Sequence, residues 1–190
     1  MIKGRNIDPG ANIQLPKIAG LGLGPITGET FYVAKDGIQA RTWLDGRVPG
    51  DHLFLTIDAA INKCVAERGD VIIVAAGHTE SVVAAAGIDI DVANVSIIGL
   101  GKGDDRPTIS FTTAKTADID IDAANVLIDN IYFDLTGIDG LAAPIDVNAA
   151  NFTIQNCEFL VNLCGIHAIF NSKFNLNLHN YFSNLFPKTS

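Results

Sequence analysis

Three aspartates recur at matched places along the chain. Asp89, Asp120 and Asp146 each stand second in a twelve-residue segment beginning with Ile, with Asp91 and Asp122 two residues further on. Carboxylates repeated in this way offer oxygen ligands to a hard cation, and calcium is the ion they would suit. Two or three facing carboxylates would also serve glycoside hydrolysis, but a bare column of Asp has neither the short spacing of a retaining enzyme nor the wider one of an inverting enzyme assigned to it. The preferred role is plainer: these Asp residues cap turns and keep a flat sheet soluble. No catalytic residue is assigned, and no cofactor is expected beyond that possible Ca2+. His78, in Gly77-His78-Thr79-Glu80, looks like part of a catalytic cluster, but it directly follows an apolar run and reads better as a turn histidine bonded to local backbone. His52, His167 and His179 share no metal-ligand spacing. Gly20-x-Gly22-x-Gly24 lacks the strand before it and the helix after it that a phosphate loop needs.

The aspartates belong to a repeat. Ile88 to Gly99 reads IDIDVANVSIIG, Ile119 to Asn130 reads IDIDAANVLIDN, and Ile145 to Asn156 reads IDVNAANFTIQN. Asn94, Asn125 and Asn151 fall in one column, and Ile97, Ile128 and Ile154 in another. The starts lie 31 and then 26 residues apart, and a weaker copy at Leu176–Asn180 follows the third. The motif alternates with period 2, as in Val126-Leu127-Ile128, which excludes helical repeats. No Leu-x-x-Leu-x-Leu frame is present. An all-β, single-chain parallel β-helix of about 4–5 coils is what remains, each repeat making one coil of about three short strands. Equivalent residues would then stack ~4.8 Å apart. Inward Ile and Val would build the core, and Asn would occupy left-handed turn positions. Asn130, Asn156 and Asn180 form a second candidate ladder.

Composition agrees with short strands and tight turns. Seventeen of the 21 acids are Asp, a turn-favouring residue, and fourteen of the acids fall between Asp70 and Phe159. The net charge of −8 disfavours a surface that tracks phosphates, so no nucleic acid partner is expected. No apolar run approaches the ~20 residues that span a bilayer, so no membrane partner is expected, and no secretory signal is evident. Cys64, Cys157 and Cys164 are too few and too irregular for a disulfide scaffold; Cys157 and Cys164 read as core fillers.

Residues 1–30 are dense in Gly and Pro, which forbids a regular helix or a central strand. A disordered tail is one reading. The preferred one is an extended arm that orders on a partner surface, because Ile7, Ile13, Leu15, Ile18, Leu21, Leu23 and Ile26 are more apolar than disorder requires. Residues 31–69 hold an entry strand, a loop containing Trp43, and a helix predicted over Thr56–Arg68, with Thr56 as N-cap and Gly69 after its end. That helix would cap the open end of the coils that follow over 70–169. Trp43 is read as anchoring its loop, with carbohydrate stacking as the alternative. Residues 170–190 carry Phe170, Phe174, Tyr181, Phe182 and Phe186, and would cap the other end or pack on sister chains.

Val126-Leu127-Ile128-Asp129-Asn130-Ile131-Tyr132-Phe133 and Phe152-Thr153-Ile154-Gln155-Asn156-Cys157-Glu158-Phe159 resemble the coils of the right-handed parallel β-helix of the pectate-lyase-like superfamily. More narrowly, Phe31-Tyr32-Val33, Asp36-Gly37, Gly69-Asp70-Val71-Ile72-Ile73-Val74 and Gly77-His78-Thr79-Glu80 resemble the opening of β-helix proteins of tailed bacteriophages. The resemblance covers roughly residues 31–160. It implies right-handedness, location in the virion, and phage capsid or tail proteins as partners, with a homotrimer as the expected oligomer. Lyases of the superfamily bind calcium on a coil face and use Arg or Lys as base; here no Arg follows Arg106, and only Lys115, Lys173 and Lys188 lie beyond it. A non-enzymatic virion structural protein, as capsid decoration or tail component anchored by its arm, is therefore expected. A tailspike-like glycan-binding or polysaccharide-degrading protein is the alternative.

Overall fold

A computed structural model of the chain describes residues 28–161. It is built mostly of short parallel strands in three sheets, with little helix. The chain enters through β1 (Thr30–Val33), makes the one-and-a-half-turn helix α1 (Gln39–Leu44), then the two-residue strand β2 (Leu53–Phe54) and the short helix α2 (Ile57–Ile61). From there it visits the three sheets in rotation. The first sheet takes β3 (Val71–Val74), β6 (Ser96–Gly99), β9 (Leu127–Asp129) and β12 (Thr153–Gln155). The second takes β4 (Thr79–Val82), β7 (Thr108–Phe111), β10 (Tyr132–Asp134) and β13 (Glu158–Leu160). The third takes β5 (Ile88–Ile90), β8 (Ile119–Ile121) and β11 (Ile145–Val147). In the first sheet β1 pairs with β3 and β2 lies outside it, giving the order β12-β9-β6-β3-β1-β2.

Alternation decides what each strand buries. Ile88 and Ile90 point inward while Asp89 points out, and β8 and β11 repeat the pattern. Ile97 pairs with Ile128, and Ile128 with Ile154, so that column is in register. Ile97 and Ile128 are buried, and Ile154 packs partly buried against the same core. Inward residues from all three sheets form one hydrophobic cluster, including Ile72, Val82, Ile88, Phe111 and Phe133. Each fully buried Ile contributes roughly 1.5–3 kcal/mol, so a dozen of them outweigh any single surface contact.

The turns are held by left-handed backbone. Asn94, Asn125 and Asn151 have φ of 62°, 59° and 59°, and Asn130 and Asn156 have 57° and 53°. Asn tolerates this region where a branched residue would not. The sequence reading missed the head of the first column. Glu67, φ 63°, donates its N–H to Ala93 O at 3.2 Å, just as Asn94 donates to Ala124 O at 3.0 Å and Asn125 to Ala150 O at 3.1 Å.

That same turn shortens the expected helix. Thr56 caps α2 by accepting the Ala59 N–H at 3.2 Å, but the helix ends at Ile61 rather than Arg68. Val65 N–H donates instead to the Asp70 carboxylate at 2.8 Å, and Glu67 turns left-handed, so the chain past Cys64 forms turns. What remains of the helix packs against β5, with Ile57, Ala60 and Ile61 buried in the core. Trp43 also differs from expectation: it lies in α1 rather than in a loop and is 61% exposed, with the Arg47 guanidinium 5.3 Å from its ring centroid. α1 is secured by Arg41, whose guanidinium donates to Ala34 O at 2.6 Å and Phe54 O at 3.2 Å, behind the ends of β1 and β2.

Candidate functional site

The outward positions give each sheet a different chemistry. On the third sheet Asp89 pairs with Asp120 and Asp120 with Asp146, one carboxylate per strand at the strand centre. On the second sheet the outward rows begin Thr79–Thr108–Tyr132 and Ser81–Ser110–Asp134, a face of hydroxyls. The outer face of the first sheet is mixed: Tyr32, Ile73 and Ile98 follow one another in one row, which runs on to Asp129 and Gln155, and in the other row Val71 and Leu127 alternate with Thr30, Ser96 and Thr153.

The acidic face is the candidate cation site anticipated from the repeat. Its aspartates are not turn caps, since they sit mid-strand. Burial pushes the Asp89 carboxyl above its usual range, helped by the negative charges of Asp91, Asp122 and Asp58. Burial likewise raises Asp120, with Asp122, Asp146 and Asp118 adding to the effect and a hydrogen bond from Asn148 Nδ2 at 3.0 Å opposing it. Asp118 is also raised by burial, against the Ala86 N–H that it accepts. One oxygen of Asp89 is buried without a hydrogen-bond partner. Side chains of neighbouring strands project side by side, ~4.8 Å apart, so a straight row does not wrap around an ion. Among the described residues no group of three or more His, Cys, Asp or Glu is arranged to hold a metal. The calcium expectation for Asp89, Asp120 and Asp146 thus finds a row of like charges rather than a coordination sphere.

The asparagines divide into two kinds. Asn151 Nδ2 donates to Asn125 Oδ1 at 3.0 Å, and Asn94 Nδ2 donates to the Glu67 carboxylate. Asn130 and Asn156 instead reach the neighbouring coil at other points: Asn130 Nδ2 donates to Gly99 O at 2.9 Å and Gly101 O at 3.1 Å, and Asn156 Nδ2 to Asp129 Oδ1 at 2.8 Å. Asn180 lies outside the described residues, as do the arm residues Ile7, Ile13, Leu15, Ile18, Leu21, Leu23 and Ile26, the aromatic residues from Phe170 onward, His167, His179 and Cys164.

Two buried polar groups were not legible in the sequence. Asp70, fully buried, accepts the Glu29 N–H at 2.8 Å, the Val65 N–H at 2.8 Å, and Arg68 Nε and Nη2 at 2.6 and 2.7 Å. Burial pushes its carboxyl up, but these hydrogen bonds and the Arg68 charge prevail and hold it below the ordinary range. His78 is fully buried too, and its ring bonds the distant Lys35 backbone and the nearby Glu80 side chain rather than local backbone. Its Nδ1 accepts the Lys35 N–H at 3.1 Å, which places the ring proton on Nε2, 3.2 Å from Glu80 Oε2. Glu80 in turn accepts the Ile57 N–H at 3.0 Å. The cluster ties β1, β4 and α2 together and is closed to solvent at His78.

A cavity of about 670 Å3 lies between α1 and the outer face of the first sheet. Tyr32, Ile38, Trp43, Ile73 and Leu100 line it, with Asp105 at one side. No helix among the described residues is long and apolar enough to cross a membrane. The described residues thus form a mostly parallel β-sheet structure with few helices. Compared with family models, curated proteins and solved structures, the chain matches none.

Proposed function

We propose that the three-sheet rotation is a right-handed parallel β-helix serving as a rigid, non-enzymatic structural component of a phage virion. The observation that carries this reading is the in-register stacking of Asp89, Asp120 and Asp146 between strands one repeat apart, matched on the first sheet by Ile97, Ile128 and Ile154. Parallel strands in one sheet joined by a crossover are almost always right-handed, which supports the hand. The virion assignment rests on the resemblance of residues 31–160 to phage β-helix proteins. Phage capsid or tail proteins are the partners it implies, with attachment through the N-terminal arm, and the assembled form is a trimer. Purification of intact phage particles with this protein present at a fixed copy number per particle is the expected result; its absence from purified particles would end the assignment.

Glycan binding or cleavage is the second reading, favoured by one observation: Trp43 and Tyr32 stand at an open cavity, where aromatic faces stack on sugar rings. Release of reducing ends from host polysaccharide, abolished by Asp120→Ala, would select an enzyme over a structural protein.

A further inference from the structure

We propose that the apolar groove between α1 and the first sheet is the docking site for this chain's own N-terminal segment, residues 13–26. The proposal goes beyond the virion reading and does not depend on it. The groove floor is formed by Tyr32 of β1 and Ile73 of β3, and its walls by Ile38 and Trp43 on one side and Leu100 on the other. Trp43 is 61% exposed and Leu100 47% exposed, so large apolar surfaces face outward around one concavity. An open apolar surface of this kind marks an interaction site.

Three observations favour the N-terminal segment as occupant. The first is position: the segment joins the structure at the start of β1, the strand that forms the floor. Its exit is pinned there, because a Cβ on Gly28 would lie 2.0 Å from Gly69 O and Glu29 N–H is bonded to Asp70. Tethering at that point gives the segment a high effective concentration at the groove. The second is reach. The groove extends from Tyr32 and Ile73 past the far ends of β3 and β6 to Ala76 and Leu100, so a segment tethered at the start of β1 must reverse to lie along it. Gly24 and Pro25 supply turn residues, and eight extended residues span roughly 25 Å, more than the ~13 Å of a four-residue strand on that face. The third is composition. Ile13 with Leu15, and Leu21 with Leu23, are spaced to put two apolar side chains on one side of an extended strand. Residues 1–27 carry Lys3, Arg5 and Lys17 against Asp8 alone, whereas residues 28–161 carry twenty acids against eight bases, with Asp105 lining the groove. The segment and the body therefore have opposite charge.

Trp43 is the sole tryptophan, so its fluorescence reads the groove directly. In the full chain, its emission should be blue-shifted and poorly quenched by acrylamide, independently of protein concentration. Replacing both Leu21 and Leu23 with Asp should red-shift the emission and lower the docked-to-free ratio by roughly tenfold or more, since each buried Leu supplies over ~1.4 kcal/mol. Leu100→Asp, on the other side of the contact, should produce the same change, and combining it with the Leu21/Leu23 pair should add nothing further. Far-UV circular dichroism checks that both variants keep the strands. Quenching in the full chain equal to that of free indole overturns the proposal, as does indifference to the Leu21/Leu23 pair. Protection that disappears on dilution would identify a second copy as the occupant and equally overturns it.

Discussion

Asn151 hydrogen-bonds through Nδ2 to Oδ1 of Asn125 at 3.0 Å, and both residues hold φ of 59° at the same corner of successive repeats. The side-chain bond and the left-handed backbone are two separable contributions from one residue type. Asn125→Gly keeps the backbone easy and removes the amide; Asn125→Ala removes the amide and strains the backbone. We expect Ala to cost about 2 kcal/mol and Gly about 1 kcal/mol in urea unfolding, with unchanged m. Equal losses would mean that the backbone conformation contributes nothing.

Asp70 joins β1 to the turn after α2 through two backbone N–H groups and Arg68. Asp70→Ala leaves those donors buried without acceptors and should cost about 3–5 kcal/mol. Asp70→Asn retains one acceptor oxygen and should fall between Ala and the parent chain. Chemical denaturation of the three proteins measures the order.

The acidic face and Asp70 push pH dependence in opposite directions. Burial and mutual repulsion raise Asp89, Asp118 and Asp120 in the folded state, so their ionisation opposes folding at neutral pH. Lowering the pH from neutral toward their raised values should therefore increase the melting temperature. Asp70 is depressed in the folded state, so its contribution is complete above its unfolded value of about 3.9 and is lost as pH falls through its folded value. The melting temperature should pass through a maximum in mildly acid solution and then fall. Asp120→Asn should raise stability at neutral pH and flatten the rise; a lower melting temperature for that variant at neutral pH would contradict the account.

Burial pushes the Cys157 thiol up to about 12, and its Sγ accepts the Ile131 N–H at 3.4 Å. At pH 8 only roughly one molecule in ten thousand carries the thiolate, so alkylation of Cys157 should be negligible in the folded protein and rapid in denaturant. Peptide mapping by mass spectrometry reads this site separately from Cys164. Fast labelling under native conditions would show that the core around Ile128 and Ile131 opens readily.

The parts of the fold legible in the sequence are those set by near neighbours. Alternation in Ile119-Asp120-Ile121 marks a strand with one buried face, because side chains switch sides at every residue. Asn at matched columns marks left-handed turns, because its short side chain tolerates that backbone. The helix boundary was not legible: Thr56 announces its start, but after Ile61 the Lys63 and Cys64 N–H groups turn to the carbonyls of Ala60 and Ile61 and the Val65 N–H goes to Asp70, a partner beyond the expected helix. Glu67 resisted reading for a similar reason, since its residue type does not advertise the left-handed turn that repeat stacking requires of it.

The candidate site divides along the same line. Identity of residue type and spacing sufficed to place Asp89, Asp120 and Asp146 in one column. Only the tertiary structure decided that they stand as a parallel outward row, that His78 is sealed against Lys35 and Glu80, and that Trp43 faces solvent above an apolar groove. Periodicity is a property of consecutive residues, so the chain's order carries it. Desolvation, register and partnership arise between residues tens of positions apart, and they exist only once the sheets have closed around their shared core.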